Sequence, residues 1–534
     1  MAGAHSLDPV RNAGPGSAGK GSGSGAGSGA GSGAGDSAGD GRGGSAGAGS
    51  GAGDGGSSAG RLSWMQLAVV GYAFNCGGAY GIESAVAEGG AFACVACLCV
   101  FGLCWALPQA LITAELSTAF PRNGSSLYWI EAALGRRWAL VAAVCLNLGQ
   151  VFDMAVYPGL LVAYLSTLWP VLASDARLAI AVQSGVVLVQ AGFNVLGLEV
   201  LAAASYATMA VALFPFAAVP IAAAARGLRF DFGAAAPSNT PSALAGNQAV
   251  FAASMLWVYQ GWSSVGSLAA EVRDPRSAYP RAMLALVVAT VLTYALPVLY
   301  GVALQPDLDA WGEGSFGDLA AYVAPWLGGA MALGGVASNF AAGLNSFAMY
   351  ARFLQATAAE RYVPVAALAR DDTTRFGTPV FAIALLTVTT LGLANLDFDA
   401  LLGVDTLFNA VSVVLVSASF VRLRLASPAL ARPFAVPGGL SAAWLAAGST
   451  FALCGVSVAV AAISSWPSVL VVGGTIAAAY AVAAWRERGA ARGGAVFEAA
   501  GEAAAGERAG ERTGLLGRVG RAYSVTALRA AAHV

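Results

Sequence analysis

From Arg61 to about Trp485 the chain alternates long apolar runs with short loops that contain arginine, proline and glycine. A run of roughly 20 residues with few charges is long enough, coiled as a helix, to cross the hydrocarbon of a bilayer. Nothing else in the sequence restricts the fold as strongly, because in lipid every backbone N–H and C=O must find a partner within the protein. The runs predict spans near 64–87, 90–117, 138–165, 177–194, 198–225, 248–270, 282–304, 327–357, 379–395, 400–425, 440–465 and 467–485. The fold class is therefore an all-α membrane protein with about 12 transmembrane helices. Only 11% of the residues are charged, against about 25% in soluble domains. A chain this apolar cannot cover itself with a polar surface.

Two tails flank this domain. Residues 1–60 repeat Gly, Ala and Ser with a few Asp and lack any hydrophobic run. They are expected to be disordered, and they form neither a signal peptide nor a span. Residues 486–534 are rich in Ala, Gly, Glu and Arg and are expected to be mostly disordered. Arginine sets the orientation, since positive loops stay in the cytosol. With a cytosolic N-terminus, the even-numbered loops hold Arg122, Arg136, Arg137, Arg273, Arg276, Arg281, Arg361, Arg370 and Arg375, among others. The odd-numbered loops hold Arg177, Arg226 and Arg229 and gather acids instead, including Asp307, Glu313 and Asp397. Both termini are then cytosolic.

Polar and glycine residues inside the spans mark where helices should break. The first span contains Asn75–Cys76–Gly77–Gly78–Ala79–Tyr80–Gly81, and the sixth contains Trp257–Val258–Tyr259–Gln260–Gly261–Trp262–Ser263. Entered from opposite faces, Gly77 and Gly261 each lie about 20 Å deep, and Asp153 in the third span lies about 22 Å deep. Unwound backbone survives in a membrane only against protein or a cavity. Its freed N–H groups attract anions and its freed carbonyls attract cations. Breaks five spans apart are expected of two inverted repeats of five helices, with two extra helices following. Gly77, Gly78, Gly81, Gly261 and Ser263 are therefore candidate substrate-binding positions, together with the aromatic residues Trp257, Tyr259 and Trp262.

An acid at a helix centre costs roughly 2.5–3.5 kcal/mol by insertion scales, so Asp153 is expected to hold a substrate ammonium group, carry a proton or pair with a buried polar group. Tyr157, one turn on, shares its face. Glu83 lies just beyond the first break, as an outer-vestibule acid or a gate bonded to freed backbone. Glu115 and Glu271 sit at cytosolic span ends near Arg122 and Arg273 and read as ion pairs or inner-gate elements.

The order of these pieces resembles the amino acid–polyamine–organocation superfamily, closest to the polyamine-uptake branch of plants and protozoa and its L-amino acid transporters. The resemblance rests on Gly77–Gly78–Ala79–Tyr80–Gly81–Ile82–Glu83, Thr113–Ala114–Glu115–Leu116, Phe120–Pro121–Arg122–Asn123–Gly124, Asp153 to Pro158, Ser267–Leu268–Ala269–Ala270–Glu271–Val272 and Arg432–Pro433–Phe434. It implies a five-plus-five inverted repeat and uptake of polyamines or amino acids by alternating access, coupled to H+ or Na+. The plant pattern has an acid where Ser263 stands, and Phe347 and Val416 occupy places where acids are expected. A neutral L-amino acid is the alternative cargo, and a nutrient sensor that binds without transport is the alternative role. If Na+ drives uptake, Ser338 and Asn345 are the candidate oxygen donors. If H+ does, Asp153 or Glu83 must carry it.

Other classes find no support. The two histidines, His5 and His533, lie in the tails, so no histidine base or metal cluster is expected and no enzyme activity or cofactor is implied. The seven cysteines lie in apolar stretches and read as packing residues. Nothing points to nucleic acid. Glu511–Arg512–Thr513–Gly514–Leu515–Leu516 matches an acidic dileucine signal, in which Glu511, Leu515 and Leu516 would engage a sorting adaptor. The plasma membrane is the expected address, with an endosomal or vacuolar membrane as the alternative.

Overall fold

A computed structural model describes residues 62–236, 248–308, 311–312, 314–369, 377–396, 398–464 and 466–510. The described residues are almost entirely helical, with one isolated parallel bridge, Leu62 to Val272. Among them nine helices are long and apolar enough to cross a membrane. Val380–Leu393 is a shorter apolar helix. The first and sixth spans are interrupted: Trp64–Asn75 is followed by Glu83–Gly89, and Gln248–Trp257 by a 3-10 segment, Trp262–Glu271. Together these segments make up the twelve expected spans. The interruptions fall five spans apart.

The packing separates inner from outer helices. The third span, Arg136–Leu168, and the eighth, Pro325–Ala359, are mostly buried, whereas only 22% of the fourth, Ala176–Val195, is buried. Its outward face and those of the peripheral spans carry large apolar side chains such as Leu188, Val388 and Leu445, as contact with acyl chains requires. The eighth span packs against the third, the fifth (Leu198–Ala225) and the first half of the first. It is rich in Gly, Ala and Ser, which lets neighbouring helices approach closely.

Several local features lie outside the sequence expectation. The second span, Ala91–Ala119, contains a π-helical turn at Gly102–Ala106, just before Pro108. Proline cannot donate its missing N–H, and a wider turn absorbs the mismatch. Short helices form between spans at Ser126–Leu134, Val171–Ser174 and Ser315–Val323. The twelfth helix runs from Trp466 to Gly510, so the stretch from Arg486 to Gly510 is helical where little order was expected. Its abundant Ala, Glu and Arg are strong helix formers. Residues 1–60 and the dileucine residues Glu511, Leu515 and Leu516 lie outside the described residues, as do Arg370 and Arg375.

At the arginine-rich end the two broken spans are tied together. Leu62 N–H donates to the Glu271 carbonyl at 2.9 Å, and Arg273 N–H donates to the Leu62 carbonyl at 2.7 Å. Asn123 joins the same knot, accepting from Ala270 N–H at 3.0 Å and donating to Glu271 Oε1 at 3.3 Å. Arg352 of the eighth span pairs with Glu271 at 3.5 Å.

Candidate functional site

The two interruptions meet. Gly77 (φ 72°) and Gly261 (φ 87°) adopt left-handed backbone, which side-chain-bearing residues resist. Space enforces the same choice. A Cβ on Gly261 would lie 2.6 Å from the Phe74 ring and 2.8 Å from Asn75 Oδ1, and one on Gly77 would lie 2.6 Å from Ser338 Oγ. Each break therefore touches another span through a position with room only for hydrogen. After Gly81 the chain re-enters a helix at Glu83, whose carboxylate accepts the Gly81 N–H at 2.8 Å.

A cavity of about 1310 Å³ lies against both breaks and against the third, eighth and tenth (Phe398–Ala426) spans. It extends to Thr167, Gly314 and Leu396, which belong to the end of the bundle opposite the Leu62–Glu271 knot. Asp153 forms part of its wall. The Tyr157 hydroxyl donates to Asp153 Oδ1 at 2.9 Å, and the Tyr350 hydroxyl to Oδ2 at 2.7 Å. Tyr350 also meets the Phe74 ring edge-on at 5.6 Å, which links this carboxylate to the first break.

A second acid shares the cavity. Asp405 in the tenth span is 7% exposed and lies within electrostatic reach of Asp153. Its carboxylate makes no hydrogen bond among the described residues, and no described arginine pairs with either acid. Both polar atoms of the Asn75 amide, at the end of the first half-helix, are likewise buried without a partner on the cavity wall, as is Gln150 Oε1. The centre of the bundle thus presents two carboxylates and two amides with bonding capacity unused by the protein.

Of the expected substrate-binding residues, Gly81, Asp153, Tyr157, Trp257, Gly261 and Ser263 line the cavity. Gly77 and Gly78 shape the break from behind, Gly77 against Ser338 and Gly78 against Tyr80 and Phe216. Tyr259 and Trp262, also expected there, are fully buried and lie outside its lining. The Tyr259 hydroxyl donates to the Leu98 carbonyl at 2.8 Å, and the Tyr259 carbonyl accepts Trp105 Nε1 and Trp262 Nε1 at 2.7 and 2.8 Å. Tyr259 thus binds the break to the second span, Trp262 folds back onto the break itself, and Trp257 and Tyr80 stand in the cavity wall.

The remaining candidates divide similarly. Glu83 lines the cavity as a cap on freed backbone. Ser338 lines it, whereas Asn345 is fully buried, accepting from Ser205 Oγ at 3.1 Å and donating to the Ala341 carbonyl. Glu115 and Glu271 lie away from it with partners other than the arginines nearest in sequence. Glu271 pairs with Arg352, and Glu115 with both Arg424 and Arg432, while Arg122 lies over the Tyr128 ring. Sequence reasoning missed Asp405, Tyr350 and Asn75. A lone acid in an apolar run, the signal that exposed Asp153, also marks Asp405.

The amino acid permease family model matches residues 62–485, the stretch from the Leu62 bridge to the last span. A rice protein (Oryza sativa subsp. japonica) named polyamine transporter PUT1 is 31% identical over 396 residues, 72% of this chain and 71% of its own. Polyamine transporter RMV1 of Arabidopsis thaliana is 28% identical over 370 residues, covering 68% and 73%. A third, the probable polyamine transporter At1g31820 of the same plant, is 28% identical over 389 residues, covering 72% and 78%.

Proposed function

Because the chain belongs to the amino acid permease family, and so is a membrane transporter, we propose that its cargo is a polyamine or another substrate with two ammonium groups. The observation that carries this reading is the pair Asp153 and Asp405 in one cavity, neither paired with a cation among the described residues. Two carboxylates inside the bundle without a counter-ion are costly, and a dication supplies one charge for each. The sequence alone offered too few acids for such a cargo; Asp405 answers that objection.

Glu83 argues against an amino acid. The N–H groups freed at a half-helix start are where an amino acid's carboxylate docks, and the Glu83 carboxylate already accepts the Gly81 N–H there. A second anion would meet a like charge. Tyr80 and Trp257 suit an alkyl-ammonium chain by cation–π contact, and Asn75 and Gln150 offer amide oxygens to ammonium hydrogens.

The cavity reaches the acid-rich end, while the knot of Leu62, Asn123, Glu271 and Arg352 closes the arginine-rich end. Taking that second end as cytosolic, this is an outward-facing state of an alternating-access carrier. Release on the inner side requires the knot to open. Protons are the favoured coupling ion, because the cavity holds carboxylates whereas Asn345 is committed to Ser205. Purified protein in liposomes should accumulate labelled putrescine or spermidine, with unlabelled diamine competing and leucine failing to. Accumulation blocked by leucine and indifferent to diamines would overturn the assignment, and binding without accumulation would make the protein a sensor.

A further inference from the structure

We propose that the arginine-rich end carries a binding site for an anionic phospholipid headgroup, where the third span, the turn after the eighth span and the twelfth helix meet. The site is independent of the cargo assigned above.

Three contacts bring these segments to one place. Arg136 Nη2, at the start of the third span, donates to the Glu360 carbonyl at 3.1 Å, and its guanidinium lies over the Tyr362 ring at 5.2 Å. Arg486 Nη1 of the twelfth helix donates to the Arg361 carbonyl at 3.4 Å. Arg137 and Glu487 form an ion pair that ties the third span to the twelfth helix. Arg136, Arg137, Arg361, Arg486 and Arg488 thus belong to one exposed patch, with Glu131, Glu360 and Glu487 as the neighbouring acids.

Most of the positive charge is left open. Among the described residues Arg137 pairs with a carboxylate, whereas Arg136, Arg361, Arg486 and Arg488 do not. The local backbone sharpens the imbalance. Arg136 and Arg137 occupy the first turn of the third span, where the helix dipole is positive and carboxylates are favoured. Gly135 before them supplies no side-chain cap. Arg361 holds left-handed backbone (φ 60°) just past the eighth span, a position that glycine usually takes. An anion laid across the patch offsets both the open charge and the dipole.

Aromatic side chains beside the patch mark its height in the membrane. The Trp138 and Tyr480 rings meet at 5.6 Å, and both are exposed, as is Trp485 at 70%. Exposed Trp and Tyr concentrate at the level of lipid headgroups. Arg137 adjoins Trp138 and Arg486 adjoins Trp485 in the chain, so the guanidinium groups stand at phosphate height. Their planar forks match phosphate oxygens two at a time. Taking this end as cytosolic, it faces the leaflet that holds the anionic lipids. The open guanidinium groups of Arg136, Arg361, Arg486 and Arg488 outnumber the charge of one phosphodiester, which selects a headgroup bearing further phosphates. A bound headgroup would hold the twelfth helix against the third span, which carries Asp153, and the end of the eighth, which carries Tyr350.

Fluorophore-labelled short-chain phosphatidylinositol bisphosphate, titrated with the purified full-length protein in neutral detergent, should bind saturably. Unlabelled phosphatidylcholine should not compete. Arg361→Gln combined with Arg488→Gln should weaken binding at least ten-fold with an unaltered melting curve, since neither side chain makes a hydrogen bond or ion pair among the described residues. Arg276→Gln with Arg281→Gln removes equal charge from the start of the seventh span, Pro275–Leu304, and should change binding less than two-fold. Unchanged binding in the first variant, or equal losses in both, would reduce the patch to diffuse basic charge and overturn the site. Full competition by the soluble inositol phosphate headgroup alone would overturn the lipid assignment in favour of a soluble polyphosphate. If the first variant folds poorly, Arg488→Gln alone should still weaken binding at least two-fold, and no change there would equally overturn the proposal.

Discussion

Acids occur at two levels inside this bundle, and they are treated in opposite ways. At the arginine-rich end, Glu115 is 1% exposed and holds Arg424, Arg432 and the Val436 N–H. Glu271 holds Arg352 and Asn123. In the middle, Asp153 is met by two tyrosine hydroxyls and Asp405 by none, and neither pairs with an arginine among the described residues. The first arrangement completes each charge and fastens spans together. The second leaves charge for something that arrives. A carrier needs both: a frame whose charges are closed, and a site whose charges are open.

The sharpest way to break the comparison is to exchange the consequences. Glu115→Gln should be the most damaging change to the fold, because it strands two arginines, at a cost of about 3–5 kcal/mol. Thermal unfolding in detergent and the yield of monodisperse protein would check this, and an unchanged melting point would contradict the structural role. Asp153→Asn should do the reverse. It abandons no protein cation, so the melting temperature should hold or rise, while putrescine uptake falls at least ten-fold. A stability loss like that of Glu115→Gln would erase the distinction.

Asp405→Asn sharpens the account within the cavity. Affinity for a diamine should fall by about ten-fold, or about 1.4 kcal/mol, and affinity for a monoamine of equal chain length by much less. Parallel losses for both would show that Asp405 does not read the second ammonium group. Tyr350→Phe should have the smallest effect: it removes one of the two hydroxyls on Asp153, and hydration in an open cavity replaces much of that hydrogen bond. A several-fold rise in KM with an unaltered melting curve is expected.

The sequence made some of this legible and hid the rest for identifiable reasons. Both breaks could be read because Gly77, Gly78 and Gly261 stand among polar residues where a span should be apolar. Asp153 could be read because no other acid lies near it in its span. Asp405 was obscured by the acid-rich entrance to its helix, at Asp397 and Asp399, and by the family pattern, which drew attention to Phe347 and Val416. The orientation of Tyr259 and Trp262 had no sequence signal at all. Once the helix unwinds, residue spacing no longer tells which way a side chain faces. Likewise, Glu115 finds Arg424 and Arg432 across the bundle while Arg122, only a few residues away, stacks on Tyr128.

A structure determined with a bound α,ω-diamine would show which side chains receive its two charges. One terminal ammonium should lie within hydrogen-bond distance of Asp153 and the other on the Asp405 side, with the Glu115–Arg424–Arg432 cluster undisturbed. A diamine bound elsewhere, or an arginine side chain swung into the cavity to neutralise Asp153 and Asp405, would contradict the account.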